Sequence, residues 1–381
     1  MQELLKQNND ALCHEIEQLQ HLLSESEVDA PDELNAYITQ IKKECDNLHQ
    51  RVLRNLKYLE LKQQNLLKDI LSETELLTFD FFALNGQKAS PILRACTSDR
   101  LSLKFLQWLH ATHPQAKNIP AAICDGEFSI WLIQPSTIYC TPCTSQRGLR
   151  NLPIFFHEFG HLLYTLHKPE MDDLVNELQK EIKNRIHPNV VRNDQYARKQ
   201  ETERDTVVAT WYEWAQECFC DAVGFVMCGP SFAYAFSMYL RILGRSQYQM
   251  STEELKNSTH PVTWIRIQLL ANRAREMGYS VVADDLEEKW NDVATALGVT
   301  QDFGGFYDAD SFLPVIQQKL DDMLTETSPR EFEEAEVSNQ ITESTFSSPV
   351  ALLNMAWQKF LVDPDGYREW EKKAIISFLD I

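Results

Sequence analysis

The chain has no long apolar run. Its longest weakly polar stretch, Ala222 to Phe236, is short and broken by Gly229-Pro230, whereas a membrane-spanning helix needs about 20 apolar residues. Nor does an apolar leader follow Met1, where Gln2, Glu3, Lys6, Gln7 and Asn8 stand, so no secretory signal is expected. Basic residues are in deficit, 36 Lys and Arg against 56 Asp and Glu, giving a net charge of −20. So negative a surface repels phosphate backbones and anionic bilayers, which argues against nucleic acid and membrane as partners. Cysteines are sparse and odd in number, nine in 381 residues. That points to a reducing compartment, and a cytoplasmic location is expected. What remains is ordinary for a globular chain, 44% hydrophobic and 24% charged, and long enough for more than one domain.

Residues 1–75 almost lack glycine and proline. Leu5, Leu12, Ile16, Leu19 and Leu23 alternate three- and four-residue steps, with polar Asn9 interrupting the run. After a break at Ser24 to Asp32 the pattern resumes at Leu34, Ile38, Ile41, Cys45, Leu48 and Val52, and continues less cleanly through Leu59, Leu66 and Ile70. The spacing predicts two long helices, either an antiparallel hairpin packed on the same chain or a coiled-coil arm for homo-oligomers or a partner protein.

Residues 76–150 change character. Asn85-Gly86 and Asp125-Gly126 are hairpin-type turn signals. Residues 128–133 and 137–140 read as strands joined by Gln134-Pro135-Ser136, and 99–113 as a helix. A small antiparallel sheet is expected. Cys140 and Cys143 have C-x-x-C spacing but no second pair, and are read as ordinary thiols rather than a redox or metal motif.

Residues 151–300 hold the chemistry. In His157-Glu158-Phe159-Gly160-His161 the two histidines are one helical turn apart on one face, so their imidazoles can take two corners of a zinc tetrahedron. Glu158 is placed to take a proton from water activated there and deliver it to a leaving amine. Phe155, Phe156, Phe159, Leu162 and Leu163 make the helix apolar nearly all round, and polar groups inside a buried helix are costly unless paired or ligated. Gly160, mid-helix, costs about 1 kcal/mol against alanine and suggests a close backbone approach.

A third ligand is needed. His167 has the metzincin spacing, but Tyr164 stands where that pattern needs glycine to break the helix. His167 is therefore read as a helix C-terminal histidine, about 9 Å along the axis from His161. Glu217 and Asp221, four apart in the apolar, aromatic segment 211–224, are better: Glu217 as ligand, Asp221 as acceptor of the outward N–H of a ligating histidine. Glu213 is the rival, with a solvent-facing role as its alternative. Cys218, Cys220 and Cys228 are read as small buried residues.

H-E-x-x-H on one helix with E-x-x-x-D on a later one resembles the gluzincin class of zinc metallopeptidases. The segment Thr259-His260-Pro261 followed by Arg266 is similar to the T-H-P-x-x-x-x-R stretch of the CAAX prenyl-protease and HtpX-like family within that class. The resemblance covers about residues 150 to 270. It implies a zincin-like core, one zinc per chain on His157, His161 and Glu217, Glu158 as general base, Asp221 orienting a ligand histidine, and His260 and Arg266 near the cleft. That family is embedded in membranes by several apolar spans and this chain has none, so a soluble relative is expected, acting on protein or peptide rather than prenylated substrates. For stabilising the oxyanion, His260 is the first choice and Tyr234 the second.

The expected whole is mainly α with a small antiparallel sheet. Its parts are a helical arm (1–75), a small α+β subdomain (76–150), a helical zinc domain (151–300) and a C-terminal helical region (301–381). In that last region Gly304-Gly305 marks a turn and the acidic stretch Glu326 to Ser348 a flexible link. A zinc metallopeptidase is the leading reading. A structural-zinc scaffold and a metal-dependent amidohydrolase on a non-peptide substrate are the alternatives.

Overall fold

The computed structural model of the protein describes residues 2–61, 64–133, 135–186, 194–240, 244–299, 309–338 and 346–380. The turn expected at Gly304-Gly305 lies outside them, as does Gln134. The chain is mainly helical and divides into two compact units, Met1–Arg147 and Gly148–Ile381. No helix among the described residues is long and apolar enough to cross a membrane.

In the first unit, α1 (Gln2–Ser26) packs on α2 (Asn35–Glu60). The helical pattern does not run on to residue 75: α2 ends at Glu60, and α3 (Leu67–Ala83) packs on both helices as the third member of a bundle. Leu5, Leu59 and Ile70, one from each helix, form a common core cluster. The stripe Leu12, Ile16, Leu19 and Leu23 is likewise buried. At roughly 1.5–3 kcal/mol per large side chain, this burial dominates the stability of the bundle. Asn9, the polar break in the stripe, is fully buried and clasps the three helices. Its amide donates to the Leu5 carbonyl (2.8 Å) and to Thr74 Oγ1 (2.9 Å), while Asn55 donates to Asn9 Oδ1 (3.3 Å). One satisfied polar position of this kind fixes register at some cost in stability.

The sheet differs from expectation. Its order is β1 (Ile119–Cys124), β3 (Ser136–Thr141), β2 (Ser129–Ile133). β2 and β3 form the expected antiparallel hairpin, Ser129 opposite Cys140 and Ile133 opposite Ser136. β1, which the pattern did not reveal, pairs parallel to β3, with Ile119 opposite Ser136 and Cys124 opposite Thr141, so the sheet is mixed. A parallel pair needs a long connection, and here β2 itself supplies it. β3, central in the sheet, is buried along its whole length, whereas β2 at the edge is half-buried. Asn85-Gly86 makes no hairpin. It lies inside a widened helical turn, where the Ala89 N–H donates to the Leu84 carbonyl. A turn signal reports local backbone freedom and says nothing of strands on either side.

Above the sheet, α4 (Arg100–Ala111) carries His110. Its Nδ1 donates to the Asn118 carbonyl (3.0 Å) and its Nε2 lies 2.9 Å from the Tyr139 hydroxyl, which donates to it when the ring is neutral. Burial pushes its pKa down to about 4. Between about pH 6.5 and 4 the unfolded chain then binds the proton and the folded chain does not, so this contribution, about 3 kcal/mol, is present above 6.5 and lost as pH falls through 4. The urea midpoint should drop over that interval, and His110→Gln should flatten the slope.

In the second unit, α5 (Ile154–Leu166) lies against α7 (Asp194–Cys228). A Cβ on Gly160 would come 2.8 Å from Cys220 Cα. The glycine therefore sets how closely these two helices approach, and alanine there would force the backbones apart. Between them in sequence lies α6 (Lys168–Arg185). It buries Met171, Val175, Leu178 and Ile182 and packs on α7 and on α11 (Ala309–Thr327). After α7 come α8 (Pro230–Tyr239), α9 (Thr263–Glu276) and α10 (Ser280–Leu297). α12 (Pro349–Val362) and α13 (Pro364–Asp380) close the chain.

Residues 328–338 of the acidic stretch are not a free link. The Phe332 N–H donates to the Val226 carbonyl (2.9 Å), and its ring packs on Phe225 and Tyr279. Glu336 is buried and accepts from Arg330 (2.9 Å). Residues 339–345 of that stretch lie outside the described residues.

Candidate active site

The site forms where α5, α7 and α9 meet within the second unit. α5 is apolar nearly all round, as its sequence required, and runs unbroken through Tyr164 to Leu166. His157 and His161 project one turn apart with their rings edge to face, centroids 5.1 Å apart. Across from them α7 presents Glu217. His157 Nε2 lies 3.4 Å from Glu217 Oε2, and His161 Nε2 lies 3.6 Å from Glu217 Oε1. With metal–N and metal–O bonds of about 2.0–2.2 Å, the edge of a tetrahedron is about 3.4 Å, so these spacings are those of ligands around one small ion.

One turn further along α7, Asp221 Oδ1 accepts from His157 Nδ1 (2.8 Å). Asp221 is gripped in turn by Arg266 of α9, whose Nε donates to Oδ2 (2.6 Å) and Nη2 to Oδ1 (2.8 Å). The same guanidinium reaches to 3.3 Å from Glu217 Oε2 and lies over the Phe236 ring of α8. Phe236 also stacks on His157. All four charged groups are nearly buried, so each charge must be met by another.

The electrostatics follow. Burial by itself would lower the pKa of His157, but hydrogen bonds to Asp221 and Glu217 outweigh it and raise it to about 10 without metal. Burial, then the neighbouring His157 charge, lowers His161 to about 4, leaving a neutral ring ready to ligate. Glu217 is opposed by burial, yet the His157 hydrogen bond and the charges of His157 and Arg266 hold it ionised, well below the usual carboxylate range. Burial raises Glu158 to about 7, with His157 working against the rise and Glu217 adding to it.

Whether these residues suit a metal is decided by Glu217 Oε2, which is buried and has no partner at good hydrogen-bond geometry, although His157 Nε2 stands 3.4 Å and Arg266 Nη2 3.3 Å away. An ionised, buried carboxylate whose two oxygens face the His157 and His161 Nε2 atoms suits a small cation, and two nitrogens with one carboxylate are donors that zinc accepts. Cys220 is a second third-donor candidate, passed over in the sequence. With His157 and His161 it offers ligand atoms all within 4.8 Å of one another. Burial raises its thiol well above the ordinary value, with Glu217 adding to the rise, so it stays protonated without metal. Glu217 is already ionised and faces both Nε2 atoms, which makes it the better third ligand.

The remaining candidates separate cleanly. Glu213 is exposed. His167 ends α5, its Nδ1 3.3 Å from Glu326. His260 is exposed at the mouth of the site, its Nε2 3.6 Å from Glu217 Oε2. Tyr234 is turned to Trp357, on which it stacks, and the α8 residue that reaches the site is Phe236. Gln216 was not foreseen. Its amide lies 3.1 Å from His161 Nδ1, and turned by 180° it offers the oxygen that an Nδ1–H would donate to, which would leave the Nε2 lone pair free for an ion. Its place beside Glu217 was the only signal available.

Cys140 is buried within β3 and Cys143 is exposed, and all nine cysteines are free thiols. No known protein family, curated protein or solved structure matches the chain.

Proposed function

We propose that the protein is a zinc-dependent metallopeptidase of gluzincin type, hydrolysing peptide bonds in protein or peptide substrates. The observation that carries this reading is the convergence of His157 Nε2 and His161 Nε2 on the Glu217 carboxylate, with Asp221 behind His157 and Glu158 buried within reach of the charges of His157 and Glu217. His157, His161 and Glu217 would hold the ion. Bound zinc would supply Lewis acidity, making water more acidic and an amide carbonyl more electrophilic. Asp221 keeps the His157 proton on Nδ1 and so directs the Nε2 lone pair to the ligand position. Arg266 balances Asp221 and Glu217, which lets two carboxylates share one buried site.

Glu158, with its pKa near 7, suits both halves of a proton transfer. It takes the proton as the water oxygen adds to the carbonyl carbon, and returns it to the nitrogen as the C–N bond breaks. His260, solvent-facing beside Glu217, is placed to donate to the oxyanion. Nine free thiols suit a reducing compartment.

A second reading rests on Cys220. If its thiolate joined the other three ligands, the site would be closed, and a four-ligand zinc is structural. Metal analysis separates the readings. Glu217→Ala should lose one equivalent of zinc relative to wild type, while Cys220→Ser keeps it together with hydrolysis of denatured protein. Zinc retained in Glu217→Ala and lost in Cys220→Ser would overturn the peptidase assignment. Hydrolysis of small amides but not of denatured protein would move the substrate class.

A further inference from the structure

The first unit contains another constellation of ligating side chains, on the helical bundle and in a different chemical setting. Cys13 and Glu17 are four apart on α1 and share a face, and His49 approaches them from α2. His49 Nε2 lies 3.4 Å from Glu17 Oε1, and Cys13 Sγ lies 3.9 Å from the same oxygen. All three ligand atoms fall within 4.8 Å of one another. His49 Nε2 is shielded from solvent yet has no hydrogen-bond partner. An ordinary surface ion pair would leave that nitrogen hydrated or bonded, so its condition points to something else filling the gap.

We propose that Cys13, Glu17 and His49 form a separate binding site for a borderline divalent cation such as zinc, clipping α1 to α2. The distances suit it. Bonds of about 2.3 Å to sulfur and about 2.0–2.2 Å to nitrogen and oxygen give tetrahedral edges of roughly 3.4–3.6 Å, within a few tenths of the two spacings to Glu17 Oε1. The donor set selects the ion, since thiolate and imidazole favour zinc and its neighbours over calcium or magnesium, which take oxygen. Binding forms the metal–sulfur bond and releases the thiol proton to solvent, leaving two ligand charges opposite the dication. Burial, with the negative charges of Glu17 and Asp10 adding to it, raises the pKa of the Cys13 thiol, so the sulfur keeps its proton until an ion displaces it. Three protein ligands leave a fourth position for water or a group from a partner. The two anchoring helices are connected along the chain through residues 27–34, so the ion would add a cross-link to a hairpin otherwise held by packing and hydrogen bonds.

This inference does not rest on the peptidase reading, and cobalt(II) tells the two sites apart. The reduced, metal-free full chain is titrated with cobalt, and thiolate-to-cobalt charge-transfer absorption in the near ultraviolet is followed. The band should appear in wild type and in His157→Gln, disappear in Cys13→Ser, and shift to higher cobalt concentration in His49→Gln. Zinc should raise the melting temperature of His157→Gln, and this rise should vanish when His49→Gln is added. Absence of the band in wild type overturns the proposal. So does an undiminished band in Cys13→Ser, or a band lost in His157→Gln alone, which would assign the sulfur to Cys220.

Discussion

Glu158→Gln should abolish most hydrolysis while leaving the protein folded and its zinc in place. A positioned general base contributes roughly 10²–10⁴ in rate, and the amide of glutamine can neither accept nor return the proton. The replacement is isosteric, and Glu158 is not among the residues that converge on one another as ligands, so zinc content should match wild type. Stability gives an internal control. Burial holds the folded pKa near 7, above the roughly 4.5 of a free glutamate, so ionised Glu158 opposes folding increasingly as pH rises through 7. The neutral amide removes that opposition, and the metal-free variant should be at least as stable as wild type at pH 8. Loss of turnover with a gain in stability cannot be ascribed to unfolding. The pH profile adds a sign. The base must be deprotonated, so kcat/KM should fall on the acid side, and a nearby dication moves that limb below 7. A Glu158→Gln variant hydrolysing at the wild-type rate would end the proposed mechanism.

Much of this site could be read from residue order because its parts lie at helical period. His157 and His161, and Glu217 and Asp221, each span one turn, so each pair had to share a face, and burial of polar groups in apolar helices required them to meet. The packing of α5 on α7 was signalled too, by Gly160 where a side chain would collide with Cys220. What could not be read depended on partners distant in sequence. Gln216 is an unremarked member of α7, and Cys220 only a small buried residue, until α5 is laid against it. Phe236 acts through its ring faces, which leave no motif. Tyr234 and Phe236 are two apart on α8 and therefore point in different directions, and nothing local says which one faces the histidines. The same limit explains the sheet: the β2–β3 hairpin is local, but the parallel partner β1 is chosen across an intervening strand. It also explains Asn9, which reads as a flaw in an apolar stripe until Thr74 and Asn55 arrive from two other helices.

Arg266→Met should be the most damaging single change to the metal-free fold, costing about 3–5 kcal/mol, because removing one member of a buried ion pair strands the other. The methionine fills much of the same volume and can keep the contact with Phe236, so little of the loss would come from a cavity. What remains is Asp221 without its two guanidinium bonds and Glu217 without its nearest permanent cation. His157, cationic without metal, reaches both carboxylates but brings one positive charge to two negative ones, so it can neutralise only one of them. Arg266→Lys should fall between the two proteins: a single ammonium keeps the charge but cannot make the forked contact. Zinc then separates charge from geometry. The dication takes over the neutralisation of Glu217 but leaves Asp221 without its forked partner, so zinc should narrow the gap between Arg266→Met and wild type without closing it. Urea denaturation with a chelator present, repeated at saturating zinc, measures both quantities. A methionine variant within about 1 kcal/mol of wild type under chelation would mean that the buried charges find other partners. In that case the guanidinium would not be what allows Glu217 and Asp221 to remain ionised side by side.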